Sequence, residues 1–445
     1  MNRLKNLSEG SFLKLLFAFF TGAFLIAAVC MPDRNAMFSG LWNILSQPSK
    51  ISANYFDIGG YSATFLNMGL VGLACLLLFL VFRGTPNNVS TLGFLLTLGF
   101  CSWGINILNM WPSIFGVMIY GLVKKEKQGS LVNAMLFSTG IAPLITDLLI
   151  RYPNAEVVGF NLPGLGLALA VGFVIGFFLP AGLAHSPKVH KGFDLYSAAL
   201  PIGMTAFLLK GVLFETMGVA LPSAISDMKV TSQMTVNIFC GVVFGLCVVF
   251  ALILGCKPRD YWKLLRNPEL VSNFSSTYGN ATFLMNLGVF GLFILGYYNL
   301  IGAPFNGIVF GIIFCMVCTC NSGSHPLNVL PIMLGYAAAS YLCGCISPAG
   351  EEFKYVLNAQ AICVGLCYAN GLSPISQKYG WRYGFVAAIL HYLLVTSVPG
   401  MHGGYCLYSG GFTAALICIL YVPQLERFFR TKQERLEHKA AKANK

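Results

Sequence analysis

The chain has 445 residues, of which 56% are hydrophobic and only 10% charged, and its mean hydropathy is +0.71. Soluble domains carry about a quarter of their residues as charges, so soluble enzymes and nucleic-acid binders are excluded and a membrane chain is implied. The formal net charge of +12 must then be explained by where the basic residues lie.

Stretches apolar enough to cross roughly 30 Å of hydrocarbon as helices fall near residues 12–31, 61–82, 88–105, 107–123, 131–150, 164–184 and 194–214, and again near 233–256, 280–300, 305–321, 326–346, 354–372, 382–399 and 404–422. The expectation is an all-α membrane protein of about fourteen transmembrane helices. Residues 1–219 form a first transmembrane repeat, 220–425 a second, and 426–445 a basic cytoplasmic tail. The first stretch, with Arg3 and Lys5 before it and Ala28, Val29 and Cys30 at its end, has the pattern of a cleavable signal or lipoprotein box. It reads as a retained helix, because its counterpart in the second half, Gly241 against Gly22, is internal.

With the N-terminus in the cytoplasm, 22 Lys and Arg residues fall inside, among them Arg3, Lys5, Arg83, the 124–127 and 257–266 clusters, Lys378 and Arg382. Arg34, Lys50, Arg151, Lys229 and Lys354 fall outside, and Lys210 lies within a span. This asymmetry follows the positive-inside rule and places both termini in the cytoplasm. The tail from Glu426 is a solvated segment that suits anionic lipid, not nucleic acid.

Self-similarity is the most informative feature of the chain. At an offset of 219 residues, Asn54, Gly60, Asn67, Gly69 and Gly72 match Asn273, Gly279, Asn286, Gly288 and Gly291, and Gly104, Asn109, Pro112 and Gly116 match Gly323, Asn328, Pro331 and Gly335. Near the end of each half the offset slips to 212, where both copies carry H-x-G-[FY]-x-L-Y-S, beginning at His190 and at His402. Matched Asn, Pro, His and Tyr at fixed spacing mark a duplication. Seven spans per copy is an odd number, so the second copy enters the bilayer upside down, as in the inverted repeats of secondary transporters.

The duplicated blocks NMGLVGL and NLGVFGL, NILNMWPSIFG and HPLNVLPIMLG, together with MHGGYCLYSGGFTA, resemble a family of uncharacterised bacterial multi-pass membrane proteins defined by a duplicated domain of unknown function. The likeness covers most of residues 50–420. It implies a bacterial inner or plasma membrane setting and no chemistry. Seven-plus-seven transporters of the nucleobase and sulfate type are an architectural analogy only.

From Leu270 to Gly350 there are 81 residues without Asp, Glu, Lys or Arg, so some turns there are expected to lie within bilayer depth, notably 102–106 and 320–325. Asn109 and Asn328, each three residues before a proline, suit helix caps. Two such N-termini facing each other would favour an anion or polar solute. Asn106 and His325 sit at matching positions three residues earlier. Asn67 and Asn286 lie beside glycines, where amides can bond across close helices. Asn133 and Asn358 form a further pair, followed by helix breaks at Gly140 to Pro143 and Gly371 to Pro374. These eight residues are the candidate substrate- or ion-binding set, against the plain alternative that they tie helices and turns together. His190, Tyr196, Ser197, His402, Tyr408 and Ser409 are candidates for a gate or cavity wall, the alternative being an interfacial aromatic belt. His391, central in its span, is a candidate proton relay or a packing histidine. Asp147 and Arg151 are expected to pair one helical turn apart, and Lys210 to snorkel outward.

The fifteen cysteines include a C-x-x-C at Cys315 and Cys318 but lack polar neighbours for a metal or redox site. No metal, cofactor or disulfide is expected, and no G-x-x-x-x-G-K-[ST] phosphate loop is present. The leading reading is a secondary transporter or facilitator of a small polar or anionic solute, with a channel next and an intramembrane enzyme or non-transporting scaffold behind; membrane lipid and a small solute are the expected partners. Topology reporters fused after Lys127 and after Glu352 are expected to report opposite sides of the membrane; the same side for both would break the seven-plus-seven scheme.

Overall fold

The computed structural model describes residues 7–48, 53–154, 156–220, 232–348 and 353–443. Arg3, Lys5, Lys50, Lys229 and Glu352 lie outside the described residues. Within them all regular structure is helical. The first half comprises α1 (Glu9–Cys30), α2 (Met37–Ser46), α3 (Tyr55–Val81), α4 (Asn88–Phe100), α5 (Trp111–Lys124), α6 (Val132–Ser138), α7 (Ala142–Arg151), α8 (Leu162–His190) and α9 (Ala199–Lys210). The second half comprises α10 (Gln233–Ile253), α11 (Pro258–Arg266), α12 (Phe274–Tyr278), α13 (Asn280–Leu300), α14 (Gly307–Val317), α15 (Pro326–Ile346), α16 (Gln360–Ala369), α17 (Ser373–Lys378), α18 (Trp381–Val395), α19 (Val398–Met401) and α20 (Ser409–Phe428), and α21 (Lys432–Ala443) lies in the tail.

Each of the fourteen expected spans contains a helix, but among the described residues only nine helices are long and apolar enough to cross a membrane. The others stop short for local reasons. α4 has 13 residues, buried from Ser90 onward, and α14 has 11, buried along its whole length. They end in tight turns, 3-10 at Cys318–Asn321 in the second half, where glycine, serine and asparagine replace the apolar run. α16 ends in a 3-10 turn at Asn370–Leu372, and α6 in its equivalent at Thr139–Ile141. Both breaks fall where expected, and the helix restarts with Pro143 or Pro374 in its first turn, where a missing N–H costs nothing.

The duplication is visible element by element. α3 starts on the Asn54 cap, and its backbone breaks at Gly60, φ 85°. α12 starts on the Asn273 cap, and Gly279, φ 86°, separates it from α13. Positive φ at these two joints requires glycine. In the first half the restarted helix receives a carboxylate: Asp33 accepts the Ser62 N–H at 3.1 and 3.3 Å, an anion at a helix N-terminus. Among the helices outside the expected spans, two form a pair. α2, with exposed Phe38 and Trp42, and α11, with Trp262 half-exposed under the Arg266 guanidinium at 4.2 Å, are amphipathic helices of matching position in the two halves.

The halves meet along α4 and α14, which run antiparallel. Asn88 of α4 is 3.5 Å from Ser322 beyond the end of α14, the Cys315 thiol faces the Leu96 carbonyl at 3.7 Å, and Ser102 beyond the end of α4 donates to Gly307 O at 2.6 Å. Leu96 and Cys315 are themselves counterparts at the 219-residue offset, so the contact is matched about its own midpoint. Backbone approaches backbone here: a Cβ on Gly99 would collide with the Gly311 carbonyl, and a Cβ on Gly311 with the Gly99 carbonyl. α1 and α10 flank this crossing through the rings of Phe20, Phe24, Phe239 and Phe314. Gly22 and Gly241, by contrast, have open space where a Cβ would sit. Gly311→Ala is expected to lower stability by about 1–3 kcal/mol, and Gly241→Ala to leave it unchanged or raise it slightly, compared by thermal unfolding of the purified protein.

Candidate functional site

The turns that follow α4 and α14 are buried, so every polar backbone group in them needs a partner inside the protein. Asn67 and Asn286 supply the same solution twice. The Asn67 amide donates to Cys101 O at 2.8 Å and Ile105 O at 2.9 Å, and the Asn286 amide to Cys320 O at 2.8 Å and Ser324 O at 2.9 Å. Asn109 donates to Gly104 O and to Thr146 Oγ1, each at 2.9 Å, and accepts the Asn106 N–H at 2.8 Å. Asn328 repeats this with Gly323 O at 2.8 Å, Gln377 Oε1 at 3.3 Å and the His325 N–H at 3.0 Å.

The expected cap geometry differs. α5 begins at Trp111 after Met110, and α15 begins at Pro326 on His325, leaving Pro331 inside the helix. Asn109, ahead of α5, turns back onto the preceding loop carbonyl, whereas Asn328, in the first turn of α15, does the same and also closes a capping box by accepting the N–H of the His325 cap. Asn106 Oδ1 accepts the Leu108 and Asn109 N–H groups, and His325 Nε2 meets Gln377 Oε1 at 3.2 Å. α5 packs chiefly on α8 and α15 on α18, so these N-termini belong to separate sub-bundles. Asn133 and Asn358 are not equivalents. Asn133 bonds Ser90 Oγ at 2.7 Å beside the Asn87 cap of α4, whereas exposed Asn358 reaches Gly302 O at 3.3 Å; the matching contact to the Asn306 cap of α14 comes from Gln360 at 2.6 Å.

The H-x-G-[FY]-x-L-Y-S elements form a crossed pair of loops. In each, the histidine clasps the serine seven residues later: His190 Nε2 to Ser197 Oγ at 2.8 Å, His402 Nδ1 to Ser409 Oγ at 3.0 Å. Burial pushes the His402 imidazole down to about 4, so that clasp is between neutral groups near pH 7. The clasp presents the leucine N–H to the broken helix of the other half. Leu195 N–H donates to Gly371 O at 3.1 Å, and Leu407 N–H to Gly140 O at 2.9 Å. The following tyrosine then lies on the glycine of that break, Tyr196 on Gly371 and Tyr408 on Gly140, in the space a side chain would occupy. Tyr196 donates to both Cys315 O at 2.8 Å and Cys367 O at 3.0 Å. The Tyr408 hydroxyl is buried without a partner and its ring stands edge-on to Phe100 at 5.4 Å.

Two clefts open at opposite ends of the α4–α14 pair. One, of about 180 Å³, is bounded by Gly192, Leu195, Asn267, Ser272, Gly323 and Gln377. The other, of about 270 Å³, is bounded by Trp103, Gln360, Thr396, Leu407 and Ser409. The length of α4 puts roughly 20 Å between them. The centre is filled by Tyr196, Tyr368, Tyr408 and the glycine crossing. His391 lies beyond the second cleft with both ring nitrogens engaged, by Tyr336 Oη at 2.5 Å and Gly410 O at 2.9 Å. Asp147 and Arg151 form the expected ion pair, with guanidinium distances of 2.8 and 2.7 Å, and the Tyr405 ring of the second half sits beside it. Lys210 pairs with Glu215. Among the described residues no three His, Cys, Asp or Glu side chains gather as a metal site, and the cysteines are free thiols.

One residue of this seam is an acid that matching of the two copies does not reveal. Asp194 occupies the variable position of the first loop, where the second has Cys406, and it is 2% exposed. The signal available was an acid inside a motif whose other copy has none.

A family model matches the chain twice, over residues 33–215 and 255–427, and so covers most of its length. The chain belongs to the DUF1576 family. The family's description is a protein of unknown function, and no curated protein and no solved structure matches the chain. The two DUF1576 regions begin after α1 and α10, and each contains one glycine-jointed helix, one buried short helix, one broken helix and one clasped loop. Asn286→Ala is expected to destabilise by about 1–3 kcal/mol, because two buried carbonyls lose their donor, while Asn358→Ala stays within about 0.5 kcal/mol; thermal unfolding of the two variants checks the contrast.

Proposed function

We propose that this polytopic membrane protein is a secondary transporter or facilitator of a small polar or anionic solute, working without a chemical step, and that its two halves sit in opposite orientations in the membrane. The observation that carries this is the pair of clefts, one at each end of the α4–α14 crossing, held apart by a packed seam that both halves build. The antiparallel meeting of α4 with α14, centred on Leu96 and Cys315, supports the opposed orientation. The excess of basic residues assigned to one side puts the smaller cleft, near Asn267, Lys378 and Arg382, at the cytoplasmic face.

In this reading the clasped loops are the moving contacts. Each is held to the other half's break by one backbone hydrogen bond and one tyrosine, so that rocking one half against the other exchanges few interactions. The paired asparagines keep the buried turns intact, and Trp103, Gln360, Ser409, Asn267 and Gln377 offer polar groups to a solute in the clefts.

The test is counterflow in proteoliposomes loaded with individual polar and anionic metabolites. A carrier shows uptake stimulated by internal solute. Leu407→Trp and Leu195→Trp, which fill one cleft each, are expected to lower uptake at least tenfold while leaving the protein folded. Flux without counterflow stimulation would point to a channel, and no flux for any solute under an imposed gradient would remove the proposal.

A further inference from the structure

Two acceptor oxygens on the seam have no donor. Asp194 Oδ1 accepts the Tyr196 N–H at 2.9 Å and lies against Gly371, but Oδ2 is buried without a partner. Asn370, fully buried and one residue before Gly371, directs its amide N–H groups at Thr319 Oγ1 at 2.7 Å, Met316 O at 3.0 Å and the Tyr196 hydroxyl at 3.3 Å, leaving its own Oδ1 unpaired. The two residues stand on the two strands of one contact, the Leu195 to Gly371 hydrogen bond.

The titratable groups facing Asp194 bring no positive charge. From α8, His190 accepts the Asp194 N–H at Nδ1, 3.3 Å, and so directs its remaining N–H to Ser197; from α20 comes the Cys418 thiol; from its own loop comes Tyr196; and the 370–372 turn has no titratable side chain. A buried carboxylate and a buried amide oxygen with no donor between them are both costly. A cation is the general remedy for such oxygens: a proton on a carboxyl, or a small metal ion held by side-chain oxygens beside a broken helix.

We propose that Asp194 and Asn370 form a coupling-cation site, occupied by a proton or a sodium ion, at the crossing nearer the smaller cleft. This rests on the transport reading and adds its energy source. The site exists once, because the second loop has Cys406 in place of Asp194 and the first break has Thr139 in place of Asn370. Binding there biases one crossing and not its twin.

The experiment uses the full chain in lipid nanodiscs, following unfolding temperature in sodium chloride against choline chloride at equal ionic strength, and the protonated-carboxyl infrared band against pH. If the ion is sodium, about 200 mM sodium chloride at pH 8 raises the unfolding temperature by roughly 2–5 °C over choline. If it is a proton, sodium adds nothing, the unfolding temperature falls between pH 5 and pH 8, and a carboxyl band titrates in that range. Asp194→Asn abolishes either response. Asn370→Ala, which keeps the carboxyl, shifts the sodium midpoint at least tenfold or the carboxyl midpoint by at least one pH unit, so the site stays testable even if the first variant does not fold. Absence of both responses in the natural protein, or either response unchanged in the variants, overturns the site. Solute flux that ignores sodium and pH overturns the coupling and keeps transport; a cation response with no solute flux keeps the site and overturns transport.

Discussion

Backbone that stops being helical inside an apolar layer must find its hydrogen bonds within the protein, because neither water nor lipid will supply them. That constraint organises this chain. α4 and α14 are too short to cross a bilayer, so the loops after them are buried, and Asn67 and Asn286 are committed to the carbonyls at 101, 105, 320 and 324. The same demand explains why Asn109 and Asn328 fold back on Gly104 and Gly323. An amide is the smallest side chain with donors and acceptor enough to do this, and its repetition at one offset follows from the repetition of the short helix.

The broken helices make the same demand and are answered differently. Carbonyls at Gly140 and Gly371 are met by N–H groups from the opposite half, so each half completes the other's break. This reciprocity couples two features that sequence alone presents separately, a Gly-x-x-Pro break and an H-x-G-[FY]-x-L-Y-S element. Each residue of the element then has a physical role. Histidine and serine close the loop, glycine at φ 79° in one copy and 77° in the other turns it, leucine offers the N–H, and tyrosine fills the space over the glycine. Each crossing thus rests on one backbone hydrogen bond and one tyrosine ring, and at the first alone the tyrosine hydroxyl adds bonds to the Cys315 and Cys367 carbonyls.

The helical class, the duplication, both helix breaks, the buried turns and the Asp147–Arg151 pair were legible in the sequence, because hydrophobic runs and matched Asn, Gly and Pro report local geometry. The length of the helices was not. Apolar residues at 88–105 and 305–321 look like spans, yet both are interior helices, and hydropathy does not distinguish a helix buried in protein from one facing lipid. α2 and α11 escaped because they are short and mixed in polarity. Asn133 and Asn358 were paired by spacing, but an insertion between Asn306 and the second break moves the true contact to Gln360. Asp194 escaped because matched residues draw attention away from the position where the copies differ.

Difference between the copies is where a duplicated fold acquires direction. In the transport reading proposed above, two identical crossings would leave inward- and outward-facing arrangements equal in energy, and nothing would bias the exchange. Here the crossings match in clasp, leucine N–H and tyrosine, but not in their polar surroundings. Tyr196 satisfies two carbonyls and an amide, with an acid beside it, whereas the Tyr408 hydroxyl has no partner and stands against Phe100. Opening the first crossing frees the Tyr196 hydroxyl from its carbonyls and gives water to a carboxyl oxygen that had no partner, whereas opening the second only hydrates a hydroxyl that had none. The two crossings therefore part at different cost, and the difference is set where the copies differ, at Asp194 against Cys406.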